Sequence, residues 1–313
     1  MRRHTMSCSR ANRPGFSLLE LVVVVAILGV LVGVLMSAVQ AARGAASRAQ
    51  CQSNLRQLAL AAMNQESSTQ HFPPKYLHIR IPGTTKLRES YPWPAQLLPQ
   101  LEQSALWTDM VSRMRVDPPY RNPPHTGLAT VVKAFVCPSD SRLNAPIRDD
   151  EGNTAAYCSY VGIYGDRVDM KDNRSRFEKL GIVSSSVGTR ISEVTDGLSQ
   201  TILFSESPPP GRWLLGTWYL GELPFHELWT ARPCRKHISI DVRYDTSSFC
   251  RGPFLFAPGR LENLCDTLHL WSLHSGGANF AFADGSVRYL PYSAVDVLPA
   301  LATRAGGEVA DAP

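Results

Sequence analysis

The stretch Arg13-Pro14-Gly15-Phe16-Ser17-Leu18-Leu19-Glu20, running straight into the apolar segment Leu21 to Val39, decides the fold. That segment holds no charge and no proline, and Ser37 is its only polar side chain. Coiled as a helix at ~1.5 Å per residue, Phe16 to Val39 would be about 36 Å long, enough to cross a hydrocarbon core of about 30 Å. Residues 1–15 therefore read as a leader and residues 16–40 as the transmembrane half of a helix. Arg2, Arg3, Arg10 and Arg13 all precede the span and no base lies inside it. The N-terminus should stay cytoplasmic, and the long C-terminal part should be extracytoplasmic, with the helix held in the inner membrane. Glu20 is the exception in this pattern, because an ionised carboxylate in lipid costs about 2.5 kcal/mol or more unless it is paired.

Working outward, the helix does not stop at the membrane. No proline occurs between Phe16 and Pro73, and Cys51, Leu55, Leu58 and Ala62 recur at the three- and four-residue spacing of an amphipathic face. Residues 41–70 are expected to continue the helix and to pack it on the rest of the chain. Beyond His71 the character changes, with 73–74, 118–119, 123–124 and 208–210 all runs of proline. Such punctuation excludes long helices, apart from short ones within 95–114. Strands are expected at Thr130–Cys137, Tyr157–Tyr164, Thr201–Glu206, Trp213–Leu220, Asn279–Ala283 and Ser286–Leu290. The last two should form a hairpin with Asp284-Gly285 as a two-residue turn, pairing Phe282 with Val287 and Phe280 with Tyr289. Asn279, Ala281, Arg288 and Leu290 would then share the opposite face, toward solvent or a loop. The fold class is α+β, a long N-terminal helix on a mostly antiparallel, β-rich body over 71–313.

Composition narrows the function. The net charge of +5 owes much to the four leader arginines, and the rest of the chain is close to neutral against its 27 acids. Nothing there attracts nucleic acid. Of seven cysteines, Cys51, Cys137, Cys158, Cys234, Cys250 and Cys265 lie in the body, an even number suited to disulfides outside the cytosol.

The junction Gly15-Phe16-Ser17-Leu18-Leu19-Glu20 after a short basic leader resembles the type IV prepilin class, which includes type II secretion pseudopilins. The resemblance implies cleavage between Gly15 and Phe16 by a prepilin peptidase, N-methylation of Phe16, and Glu20 as the fifth mature residue. Glu20 would pair with the freed amine of its own or a neighbouring subunit and set the register of lateral assembly. Gly29 and Gly33, four apart, would let such helices approach closely. Two plainer readings compete: an uncleaved anchor whose Glu20 reaches the headgroups, and a secretory signal cut near Val39-Gln40-Ala41.

Further along, His274 followed nine residues on by Asp284-Gly285 is similar to the C-terminal signature of a bacterial pilin-like family, domain of unknown function 1559. Cys51-Gln52-Ser53-Asn54-Leu55-Arg56-Gln57-Leu58, Leu98-Pro99-Gln100-Leu101-Glu102-Gln103, Cys137-Pro138-Ser139-Asp140 and 191–203 carry the same likeness in order along the chain. Gln100 departs from it, standing where an aromatic residue is expected. Membership in both motifs implies a Cys51–Cys137 disulfide tying the helix to the body.

Sites of chemistry are sparse. A strand between His274 and Asp284 would hold them roughly 17 Å apart, too far to share an ion. Calcium, which related pseudopilins can bind, would need Asp196, Glu206 and Asp284, yet no loop has a ligand spacing. Cys234, His237, Cys250 and Cys265 lack a tight Cys-x-x-Cys pair and read as disulfides before zinc. No nucleophile elbow or phosphate loop is present. The tryptophans and Tyr219 should be core more than a glycan-binding face. The chain reads as a pilin-like structural subunit without cofactor, metal or enzymatic activity. Its expected partners are the membrane, the prepilin peptidase and other pilin-like subunits. The alternative is a membrane-tethered module that binds a ligand such as a polysaccharide.

Overall fold

The absence of any helix breaker before Pro73 is realised as one helix, α1 (Leu18–Thr69), 52 residues long. It stops where Gln70 turns left-handed at φ 64° and its N–H reaches the Glu66 carbonyl, with Pro73-Pro74 following. The computed structural model describes residues 17–80, 87–114, 125–148, 152, 154–165, 168–169, 176–177, 181–184, 187–210, 216–219, 225–226, 239–240, 244–245 and 255–308. It divides into two units, 1–46 and 47–313. In the first, every described side chain is exposed, so the apolar run has no cover of its own.

In the second unit, Cys51, Asn54, Leu55, Leu58, Ala59, Ala61 and Ala62 of α1 are buried, which is the face the spacing predicts. They meet a five-stranded sheet. A ribbon of β1 (Tyr76–Arg80) and β2 (Leu87–Pro92) comes first in the chain, then α2 (Ser104–Met114). The sheet itself is built from β3 (Tyr160–Ile163), β4 (Ile202–Glu206), β5 (Phe225–His226), β6 (Gly277–Phe282) and β7 (Val287–Pro291). Their order is β7-β6-β4-β3-β5, antiparallel except for β3 beside β5.

Every residue of β3, β4 and β6 is buried, because the sheet is covered on both faces. One face carries Tyr160, Phe204 and Ala281 against α1, and Trp93 stacks on Phe204 at 4.2 Å. The other carries Val161, Ile163, Phe280 and Phe282 against Leu298, Leu301 and Ala302 near the C-terminus. Trp93, Trp218, Tyr219 and Trp271 are all core, while Trp213 and Trp229 lie outside the described residues.

Three expectations are corrected, the first being the strand Trp213–Leu220, whose described residues 216–219 hold only an isolated bridge from Thr217 to Tyr157. Thr130–Cys137 is no strand: Lys133–Phe135 coils as a 3-10 turn. The carbonyls of Phe135 and Val136 accept instead from Ser159 N–H and the Asn54 amide, so backbone polarity is satisfied without a ladder. The hairpin register is also shifted by one. Gly285 sits left-handed at φ 83°, and Gly285 N–H bonds Phe282 C=O while Phe282 N–H bonds Ser286 C=O. The loop is thus three residues with a glycine bulge, and it pairs Ala281 with Val287 and Phe280 with Arg288. A one-residue slip exchanges the faces of β7, which brings the Arg288 guanidinium over the Phe282 ring at 4.3 Å. Asn279 and Ala281 are fully buried, not turned to solvent.

Candidate functional site

Two places carry the residues singled out by sequence, one in each unit. At the head of α1, Ser17 N–H donates to Glu20 Oε2 at 2.9 Å and Glu20 N–H donates to Ser17 Oγ at 3.2 Å. This is a capping box, which satisfies two of the orphan donors at a helix start and sets a carboxylate at its positive end. Reading Glu20 by its charge alone passes over this role; the signal was the Ser-x-x-Glu spacing ahead of an apolar run. Gly29 and Gly33 lie on the exposed part of α1, and a Cβ at either would meet nothing within 4 Å. The span in α1 is the only helix among the described residues long and apolar enough to cross a membrane. Gly15 and Phe16 lie outside the described residues.

The second place is where α1 meets the sheet. Cys51 is disulfide-bonded to Cys137, the pairing implied by the family-like motifs, and the bond fastens the helix to the loop after Phe135. Cys137 N–H donates to Ser159 Oγ at 3.0 Å, fixing that loop on the segment leading into β3. His274, in the loop before β6, puts Nε2 at 3.6 Å from Cys137 Sγ and at 3.2 Å from Glu206 Oε1 at the end of β4. Glu206 is further held by Asn279, whose backbone N–H reaches Oε2 at 2.8 Å and whose amide reaches Oε1 at 3.0 Å. Gln52 of α1 donates to the Asn279 side chain at 3.0 Å and completes the chain of bonds back to the helix.

All four of Cys51, Cys137, Glu206 and His274 are buried, and their ligand atoms lie within 4.8 Å of one another. The arrangement is no catalytic triad. One nitrogen of His274 faces both neighbours, whereas a relay needs both ring nitrogens, and Cys137 sulfur is already bonded. Glu206 entered the sequence reading only as a calcium donor, and nothing in its spacing announced the histidine; only the paired strands bring them together.

The Asp-Gly end of the signature touches the same helix. A Cβ at Gly285 would come within 3.1 Å of Met63 Sδ, beside Leu60, and Asp284 Oδ1 accepts from Ser286 N–H. His274 and Asp284 thus serve opposite ends of β6 and share no ion. Asp196 binds elsewhere, accepting from Gly306 and Gly307 N–H at 2.6 and 3.0 Å and so stapling the C-terminal segment. The three proposed calcium donors are therefore separately employed.

The disulfide expectation fails at Cys158. It is a free, buried thiol that donates to Tyr160 C=O at 3.2 Å, and burial pushes it up to about 12 from an ordinary 9.0. Cys265 is disulfide-bonded and hence no zinc ligand. Cys234, His237 and Cys250 lie outside the described residues.

Compared with known proteins, the chain matches no curated protein and no solved structure. Residues 10–36 match the prokaryotic N-terminal methylation motif, which spans the Gly15-Phe16 junction and the capping box. Residues 40–296 match the model described as a protein of unknown function (DUF1559), which takes in Cys51, Cys137, Glu206, His274 and the hairpin turn. With most of its length inside that one family, the chain belongs to the domain of unknown function 1559 proteins of prepilin type.

Proposed function

We propose that the chain is a pilin-like or pseudopilin-like structural subunit, cut between Gly15 and Phe16 by a prepilin peptidase, methylated on Phe16, and anchored in the inner membrane with its body outside. The observation that carries this is the head of α1: a methylation motif whose Glu20 caps an apolar helix that buries no side chain from 18 to 46. Such a helix needs lipid or its own kind for cover. A carboxylate has about four acceptor sites, so the Ser17 cap leaves capacity for an ammonium group. The Phe16 amine of a neighbouring subunit would neutralise Glu20 in low dielectric and fix the stagger between helices, with Gly29 and Gly33 permitting close approach. The end product of this assembly is a fibre of the type IV pilus or type II secretion kind. No enzymatic step is part of the proposal.

The test is intact mass and N-terminal sequencing of protein from its native membrane, followed by cross-linking in that membrane. Methylated Phe16 at the N-terminus is expected, with a ladder of cross-linked oligomers that Glu20→Ala abolishes. A start at Met1 or near Ala42 would overturn the reading.

A second reading, a tethered module that binds a polysaccharide, is favoured by one feature of the body. A groove of about 640 Å³ has Gln57, Asn64, Gln100 and Gln103 among its lining residues, beside apolar ones such as Leu60 and Val131, a size and mixture suited to a sugar chain. Glycan-array binding by the full-length protein in detergent, lost in Gln57→Ala, would support it, and an array without binding would sink it.

A further inference from the structure

The buried cluster at the joint between α1 and the sheet holds more than a disulfide needs. Two sulfurs, an imidazole nitrogen and a carboxylate oxygen are the donor types of a tetrahedral zinc-class site. With metal–sulfur bonds of about 2.3 Å and metal–nitrogen or metal–oxygen bonds of about 2.0–2.1 Å, tetrahedral angles place a sulfur about 3.6 Å from a nitrogen and a nitrogen about 3.3 Å from an oxygen. The observed separations are 3.6 Å for Cys137 Sγ to His274 Nε2 and 3.2 Å for His274 Nε2 to Glu206 Oε1. Both separations from His274 already match ligand spacing, and all four donors lie within 4.8 Å of one another; the bond between the sulfurs is what closes the site.

The surroundings are those of a supported ligand set. Both Glu206 oxygens are oriented by Asn279, the Cys137 backbone is fixed by Ser159, and Ser272 Oγ accepts from His274 N–H at 3.0 Å. A cavity of about 10 Å³, room for roughly one water, adjoins Cys137 and Glu206 between Ser159 and Ser272, and gives the sulfur somewhere to move.

We propose that Cys51, Cys137, His274 and Glu206 bind one zinc-class divalent cation whenever the Cys51–Cys137 bond is reduced, so that disulfide and metal are alternative fastenings of the helix to the body. The chemistry balances. A dithiol reductant gives two electrons and two protons to the disulfide and becomes a disulfide itself, leaving two protein thiols. Binding the cation then releases those two protons and leaves two thiolates on the metal. A disulfide oxidant that takes two electrons from the thiolates, and two protons from solvent, becomes a dithiol, restores the Cys51–Cys137 bond and expels the ion.

The experiment uses the full-length protein in detergent and cobalt(II) as the probe. Protein reduced with a trialkylphosphine, which leaves as its oxide with oxygen from water, is freed of reductant without air and titrated with cobalt. The reduced protein is expected to take up one cobalt per chain, with thiolate-to-cobalt charge transfer and the strong visible bands of a tetrahedral ion, and zinc should bleach them. The oxidised protein is expected to show neither. Because reduction also frees Cys265, alkylation mapped by peptide mass supplies a second measurement on the unmutated chain. Zinc should shield Cys51 and Cys137 and leave Cys265 reactive. Equal spectra in oxidised and reduced protein, bands that persist in Cys51→Ser/Cys137→Ser, or shielding that maps to other cysteines would each overturn the proposal.

Discussion

Replacing Cys51 and Cys137 together by alanine tests how far the body depends on being tied to its helix. The bond closes a loop across 86 residues of separation. The loop-entropy relation for that length gives about 4.6 kcal/mol at 25 °C, and observed effects centre on 2–4 kcal/mol, so about 4 kcal/mol is the expected loss. Alanine leaves no buried hydroxyl in the cluster, and the Gln52–Asn279–Glu206–His274 hydrogen bonds remain to hold the interface. The assay is urea unfolding of the full-length protein in detergent with chelator present, followed by tryptophan fluorescence, since Trp93, Trp218 and Trp271 are all buried in the body. At an m-value of about 2–3 kcal/mol/M the midpoint should fall by about 1.3–2 M with m unchanged. Reducing the unmutated protein in chelator should lower the midpoint by at least as much, because the disulfide of Cys265 opens as well. A change below about 0.3 M, in a chain whose disulfide is shown by mass to have been present, would mean that the side-chain network alone fixes the helix and that the loop-entropy argument fails here.

Gly285→Ala should cost about 1–2 kcal/mol in the same assay because φ is 83° there, and Gly285→Asn should cost less. Both variants introduce the same Cβ against Met63, so their difference isolates the backbone conformation. Glu206→Gln should destabilise by about 2–3 kcal/mol, since the new amide group faces the donors of His274 and Asn279 and leaves buried polar groups unmatched, which equilibrium unfolding would reveal. Cys158 should resist iodoacetamide at pH 8 until urea unfolds the protein. Because its folded value is raised to about 12, the stability it contributes is full below its unfolded value of about 8.5–9 and declines as pH rises through 12; Cys158→Ala should flatten that alkaline limb in pH-dependent unfolding.

The helix was legible because its cause is local: a long apolar run, an amphipathic continuation and no proline before Pro73. Four of the five strands of the sheet were legible for the same reason, as short apolar runs between turn residues, whereas the two-residue β5 carries no such pattern. Thr130–Cys137 has the same look and coils otherwise, because Asn54 and Ser159 reach its carbonyls from elsewhere, and no pattern within eight residues can announce a distant amide. The hairpin was placed correctly and registered wrongly. Asp-Gly suits a two-residue turn and also a three-residue one with glycine in the bulge, and what separates them is the helix packed beneath the turn.

That helix also accounts for the nine-residue interval in the C-terminal signature. His274 meets the disulfide at Cys137, which is bonded to Cys51 of the helix, and Gly285 meets Met63 on the same helix. From Cys51 to Met63 is twelve steps of about 1.5 Å, or about 18 Å. Between the two ends of the signature runs β6, Gly277–Phe282, whose five steps of about 3.3 Å span about 17 Å. A strand and a helix rise at different rates, so a strand that must touch a helix at two fixed points has its length set by the helix. One residue fewer in β6 would leave His274 or the turn short of its contact by about 3 Å, and would also exchange the faces on which Phe280 and Asn279 lie. The interval between histidine and aspartate is therefore the length of the joint, which is why both ends can be structural while the donors for an ion gather at one of them.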